Sequence, residues 1–213
     1  MTRFTAAAIA LAVSATSAHA TALLTFGQTS SVDTVSATNN ATDTSTTITA
    51  STPVLVTSYL NGAPSFIANL NMTLNSNGPI SNQGGVLLQG FSGMASWTSG
   101  AINYLTAAFD DALFAINGAS SLSISASQPP GSITFTSSVL SAAQFLDPAA
   151  LSFSFADVIP PAGATGTTLG AFTSTISGTS SVNAPESIPE PATLAVMLLG
   201  ASMFGLGVAK RLR

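Results

Sequence analysis

Cysteine is absent from the 213-residue chain. That excludes disulfides, thiolate nucleophiles and thiolate metal ligands, and it makes the fold independent of redox conditions. Cations are almost as scarce, with four Lys and Arg and one His in total. Arg3 and His19 lie near the start, and Lys210, Arg211 and Arg213 lie in the last four residues. Thr21 to Pro185 therefore contains no positively charged side chain, against six acids: Asp33, Asp43, Asp110, Asp111, Asp147 and Asp157. No side-chain salt bridge can form within such a stretch, so apolar burial and backbone hydrogen bonding must hold it. Nucleic-acid binding is excluded as well, because it needs basic groups facing phosphates.

The same scarcity bears on catalysis. Ser and Thr are abundant, but a hydroxyl nucleophile needs a base, and neither His nor Lys is present between Thr21 and Pro185. Asp110 and Asp111 are adjacent, and in a regular strand they point to opposite faces, so they are not expected to share a substrate. No Asp-Thr/Ser-Gly pair and no Asp-x-Asp-x-Asp-Gly calcium loop occurs. The expectation is a non-enzyme with no cofactor and no metal site.

What the chain does have sits first at its two ends. "MTRFTAAAIALAVSATSAHA" carries Arg3, an apolar stretch from Phe4 to Val13, and the small-x-small step Ala18-His19-Ala20. This is the layout of a secretory signal peptide over residues 1–20, cleaved after Ala20 and handled by the Sec machinery. At the other end, Ala192 to Ala209 is free of charge. As a helix this segment would extend about 27 Å, close to the roughly 30 Å hydrocarbon thickness of a bilayer. The bases Lys210, Arg211 and Arg213 would then act as a cytoplasmic stop-transfer anchor. Just before the span, Pro189-Glu190-Pro191 restricts the backbone to extended forms and so presents an accessible peptide with one carboxylate.

Pro189-Glu190-Pro191 followed by an apolar span and a short basic end resembles the PEP-CTERM sorting signal, with Ile188 before the tripeptide and Ala192-Thr193 after it. The resemblance covers 189–213 and implies processing by exosortase, a membrane-embedded protease or transpeptidase. It also implies transient anchoring in the inner membrane, delivery to the cell surface or beyond, and a Gram-negative host that makes exopolysaccharide. A surface or extracellular-matrix role, as in a biofilm, follows from that resemblance.

Between the signals, 50 of the 165 residues from Thr21 to Pro185 are Ser or Thr. "SSLSISAS", "SITFTSS" and "LSFSFAD" alternate apolar with hydroxyl side chains, the period of a half-buried strand. Gln128-Pro129-Pro130-Gly131 is expected to turn the first pair into a hairpin. Further strands are expected at 22–28, 53–60, 67–75, 85–91 and 169–182. Residues 102–118 fit either a helix or strands, and the β context favours strands. Ser141 to Leu146 reads as one helical turn, while Asn39 to Thr52 and residues 183–188 read as loop and linker. The expected architecture is one all-β domain, 21–182, built as a sandwich or jelly roll. Trp97 and Tyr104 are candidates for stacking on a sugar of the exopolysaccharide, with core packing the alternative for the lone Trp.

Overall fold

A computed structural model describes residues 20–116, 121–127 and 132–183. Apart from Ala20, both expected end signals lie outside this set, as do residues 117–120 and 128–131. Among the described residues the chain forms strands β1 (Ala20–Gln28), β2 (Val35–Asn39), β3 (Thr46–Tyr59), β4 (Phe66–Ser76), β5 (Ser81–Gln83), β6 (Val86–Ser99) and β7 (Ile102–Ile116). After them come β8 (Ser121–Ser127), β9 (Ile133–Thr136), β10 (Ala149–Ile159), β11 (Ala164–Thr165), β12 (Thr168–Leu169) and β13 (Phe172–Asn183). A single 3₁₀ turn at Ala142–Gln144 is the helical turn expected there. The Ser141 N–H donates to Gln144 Oε1 at 2.9 Å across it.

The strands do not make two facing sheets. Following the ladders from β6 through β4, β3, β1, β13, β10, β8 and β7 leads back to β6, because β6 and β7 also pair over most of their length. Eight antiparallel strands thus close into a barrel, which corrects the expected sandwich. Closure leaves the ladder with no free edge between first and last strand, something two separate sheets cannot achieve. It needs local bending, and β-bulges supply it at Ala22/Leu24 in β1 and, in β7, opposite Phe91/Gly93 and Trp97/Thr98 of β6. Gly93 has no alternative at its site, since a Cβ there would strike the Thr73 carbonyl and the Leu74 backbone of the neighbouring strand.

Two barrel positions are shared by collinear strands. β1 and β2 both run antiparallel to β3, covering Tyr59 to Val54 and then Ala50 to Thr46. β8 and β9 likewise both run antiparallel to β7, opposite Ile116 to Ala112 and then Phe109 to Thr106. β8 and β9 therefore point the same way and do not pair with each other. The expected hairpin is not formed, and its expected turn at 128–131 lies outside the described residues. The expected loop at 39–52 is also corrected, because β3 begins at Thr46 and alternates inward Ile48, Ala50 and Thr52 with outward Thr47, Thr49 and Ser51.

The barrel interior is filled by side chains, as eight strands allow. Trp97, Phe91, Phe114, Phe153 and Phe155 are its largest fully buried members. β13 faces these rings with small residues, Ser174, Gly178 and Ser180 among them, and a Cβ on Gly178 would collide with the Phe26 and Phe153 rings. The outward set is polar, with Asn69, Asn71, Thr73 and Asn75 in a row on β4. A lipid-spanning barrel has the opposite arrangement on its outer wall. Among the described residues no helix is long and apolar enough to cross a membrane, and the expected span 192–209 lies outside them.

Candidate functional site

One rim of the barrel, here the terminal rim, holds both ends of the folded chain, since Ala20 pairs with Asn183. The end of β3, the start of β4 and the β6–β7 turn meet there. Tyr59, Phe66 and Tyr104 form an aromatic group at this rim. The Phe66 and Tyr104 rings are 4.2 Å apart between centroids, and Tyr59 meets each edge-on at 5.8 and 5.7 Å. The Tyr59 hydroxyl donates to the Tyr104 carbonyl at 2.7 Å. Burial raises the Tyr59 pKa, its Ser137 contact opposes that shift, and the neighbouring Tyr104 adds to it.

The opposite rim is plugged by the short β11–β12 hairpin through a buried polar network. Gln89 Nε2 donates to Gly78 O and to Thr168 Oγ1, both at 2.8 Å, while Leu169 N donates to Gln89 Oε1 at 2.9 Å. Thr46 Oγ1 lies 2.6 Å from Thr168 Oγ1 and donates to Leu169 O at 2.6 Å. Since Thr168 already accepts from Gln89 and Thr46 gives its own proton to Leu169, Thr168 donates to Thr46. Every hydroxyl in the plug then donates once, and Asn39 Nδ2 adds a bond to Leu169 O at 3.1 Å while its own buried Oδ1 has no partner.

On the side wall, Thr49, Ser51, Asn71, Thr73, Met94 and Ser96 line a shallow groove of about 510 Å³. Ser51 Oγ donates to Asn71 Oδ1 at 3.0 Å, and a similar contact joins Thr47 to Asn75 beyond the intervening Thr49–Thr73 pair. The groove presents hydroxyl, amide and thioether groups and no charge.

The candidate residues separate on this frame. Trp97 has no exposed surface; its ring meets Phe26 at 5.3 Å and Phe153 at 6.2 Å inside the barrel. It cannot stack on a sugar, and its burial follows from the inward phase of β6 between Ala95 and the Trp97/Thr98 bulge. Tyr104 is half-buried at the terminal rim, away from any site shared with Trp97. Asp110 and Asp111 stand together opposite the single residue Ser92, in the bulge between Phe91 and Gly93, and both are exposed. The regular-strand expectation of opposite faces fails there because the bulge resets the alternation. Ser132 N donates to Asp110 Oδ1 at 2.8 Å, and that bond lowers the Asp110 pKa. Its small stabilising contribution is present above the ordinary carboxylate pKa and is lost as pH falls through the lowered value. Among the described residues no three acid or His side chains gather in a metal-binding group. Ala18, Pro189, Glu190, Pro191, Lys210, Arg211 and Arg213 lie outside the described residues, and Ala20 opens β1.

None of the barrel's features supplies a destination, and the C-terminal segment does. Residues 187–211 match the family description "PEP-CTERM protein-sorting motif". The chain carries a PEP-CTERM sorting signal. The match takes in Pro189, Glu190 and Pro191, the apolar run, Lys210 and Arg211, and it covers none of the barrel. A chain with this signal is exported, held in the membrane for a time, processed by exosortase and released to the cell surface. No curated protein and no solved structure matches the chain.

Proposed function

We propose that the barrel is a noncatalytic component of the extracellular matrix or biofilm of a Gram-negative bacterium, delivered by its sorting signal and acting through its outer surface. The observation that carries this reading is the pairing of a PEP-CTERM signal with a closed barrel whose interior is solid and whose wall is hydroxyl-rich and free of cations. Such a wall repels anionic partners and offers many hydrogen-bonding groups to other polymers. Exchange of Pro189, Glu190 and Pro191 for alanine is expected to leave the precursor uncut in the envelope, with the "VAKRLR" end intact by mass spectrometry. The wild-type surface product is expected to lack that end, and its recovery on that product would reject the reading.

Exopolysaccharide contact is the second reading, and the groove around Asn71 now supports it in place of Trp97. A neutral row of hydroxyls and amides suits sugar hydroxyls, and the exposed Met94 side chain offers an apolar surface beside them. Co-sedimentation with the producing strain's own polymer is expected to weaken about 2–10-fold in Asn71→Ala, the loss of one or two ordinary hydrogen bonds. Tryptophan fluorescence is expected to stay constant, because Trp97 is enclosed. Equal sedimentation of wild type and variant would remove the groove from consideration.

A further inference from the structure

The unburied aromatic rings are not spread evenly. Among the described residues Phe66, Tyr104 and Phe145 are the rings that are only partly buried, and all three lie at the terminal rim. Phe145 belongs to the segment between β9 and β10 and packs on Phe135 at 5.9 Å. Exposed aliphatic side chains stand beside them. Ile67 follows Phe66 at the start of β4, Ile102 opens β7, and Val139 follows Ser138, which bonds to Asn103. Their exposures are 52%, 45% and 42%. The carboxylates are mostly elsewhere. Asp43 and Asp157 are at or near the plugged rim, Asp33, Asp110 and Asp111 lie along the side, and Asp147 alone belongs to the terminal rim.

The chain leaving this rim leads to the bilayer. From Asn183 the eight residues 184–191 reach Ala192, the start of the apolar run. Fully extended they cover at most about 26–29 Å. Export places the barrel outside while the run 192–209 holds it, so the terminal rim is the end from which the tether to the lipid runs. The polar side wall cannot enter a bilayer, but the Tyr104 ring, with an apolar body and a polar tip, favours its interfacial layer, and the Phe66 and Phe145 rings and the aliphatic side chains add apolar area to it.

We infer that, resting on the anchoring reading above, the terminal rim lies on the interfacial layer of the inner membrane through Phe66, Tyr104, Phe145, Ile67, Ile102 and Val139. So small an apolar area gives only weak attachment by itself. The contact therefore orients the barrel while the tail is in place and lets go once exosortase has cut. It also keeps Glu190 close to the membrane surface, where a membrane-embedded protease can reach it.

The lack of cysteine makes the test direct. Ile102→Cys at the rim, Ala164→Cys at the plugged end and Ala195→Cys in the apolar run each receive one environment-sensitive fluorophore. Each full-length chain is placed in vesicles of phosphatidylethanolamine and phosphatidylglycerol carrying a shallow lipid-borne quencher. Ile102 and Ala164 are both exposed, so labelling leaves the core intact. The expected result is quenching at 195 and at 102, several-fold stronger at 102 than at 164. Quenching at 195 with equal, weak signals at 102 and 164 overturns the inference and leaves the anchor standing. A blue-shifted, unquenched probe at 102 means that a second copy covers the rim, which also overturns it. No quenching at 195 removes the anchoring reading and this inference with it.

Discussion

Trp97→Ala will lower the stability of the barrel by about 3–5 kcal/mol, the range for truncating a large buried aromatic. Total stability for a domain is about 5–15 kcal/mol, so the variant stands near the limit of folding. The indole is wholly enclosed, edge-on to Phe26 and stacked on Phe153, and those two rings also meet each other at 6.2 Å. Gly178 lies opposite both phenylalanines in register, with backbone and rings already filling the space a side chain would need. Surroundings fixed by closed ladders cannot collapse into the vacated volume, which places the cost high in the range. Trp97→Phe should behave differently. The indole Nε1–H is buried without a partner, and phenylalanine removes that orphaned donor while keeping most of the ring contacts. Its net change should stay within about 1.5 kcal/mol. Urea unfolding followed by far-ultraviolet circular dichroism distinguishes the two variants. A Trp97→Ala protein unfolding at the wild-type midpoint would mean that the ring is not part of the core.

The same ring shows how far a sequence of this kind can be read. In β8 and β10, Leu122 and Ile124, then Leu151, Phe153 and Phe155, alternate without interruption, and the strands stand out. In β7 the inward residues are Leu105, Ala107 and Phe109, then Ala112, Phe114 and Ile116. The two-residue bulge at Asp110–Asp111 shifts the phase between these sets. Large apolar residues also stand on the outward face, Ile102 and Leu113, and counting them with the inward Leu105, Phe109 and Ile116 produces spacings of three and four, which imitate a helix. β3 was obscured for another reason. Its first inward positions are Thr46, Ile48, Ala50 and Thr52, only one of them large and apolar, so 39–52 has the composition of a loop. Closure was beyond reach, because alternation records which face is inward and is the same in a sandwich and a barrel. The fact that decides it, β7 pairing with β6 on one side and β8 on the other, is a matter of long-range ladders. The sorting signal was legible because its residues act in linear order and need no fold to bring them together.

Gln89→Leu will release the plug. The substitution keeps nearly the same volume, so the expected loss comes from hydrogen bonds and not from a cavity. Leu169 N–H loses its acceptor in a fully buried setting, which alone costs about 1–3 kcal/mol, and Gly78 O and Thr168 Oγ1 each lose a donor. Because Thr168 passes its proton to Thr46 and Thr46 to Leu169 O, the remaining members lose their fixed orientation together. Amide exchange at Leu169 should speed up far more than exchange in β13, whose ladders with β1 and β10 do not involve the plug. Gln89→Glu adds a sign that packing alone cannot imitate. A carboxylate there still accepts from Leu169 N–H but cannot donate to Gly78 O or Thr168, and burial raises its pKa above the ordinary value near 4.3. A raised folded pKa means that the stability of this variant is fully present below the unfolded pKa and is lost as pH rises through the folded one. The Glu variant should therefore approach the wild type at pH 4 and separate from it toward pH 7, while the Leu variant shows the same deficit at both. Wild-type exchange at Leu169 in Gln89→Leu, or a pH-independent Glu variant, would show that Gln89 does not hold the hairpin in the barrel mouth.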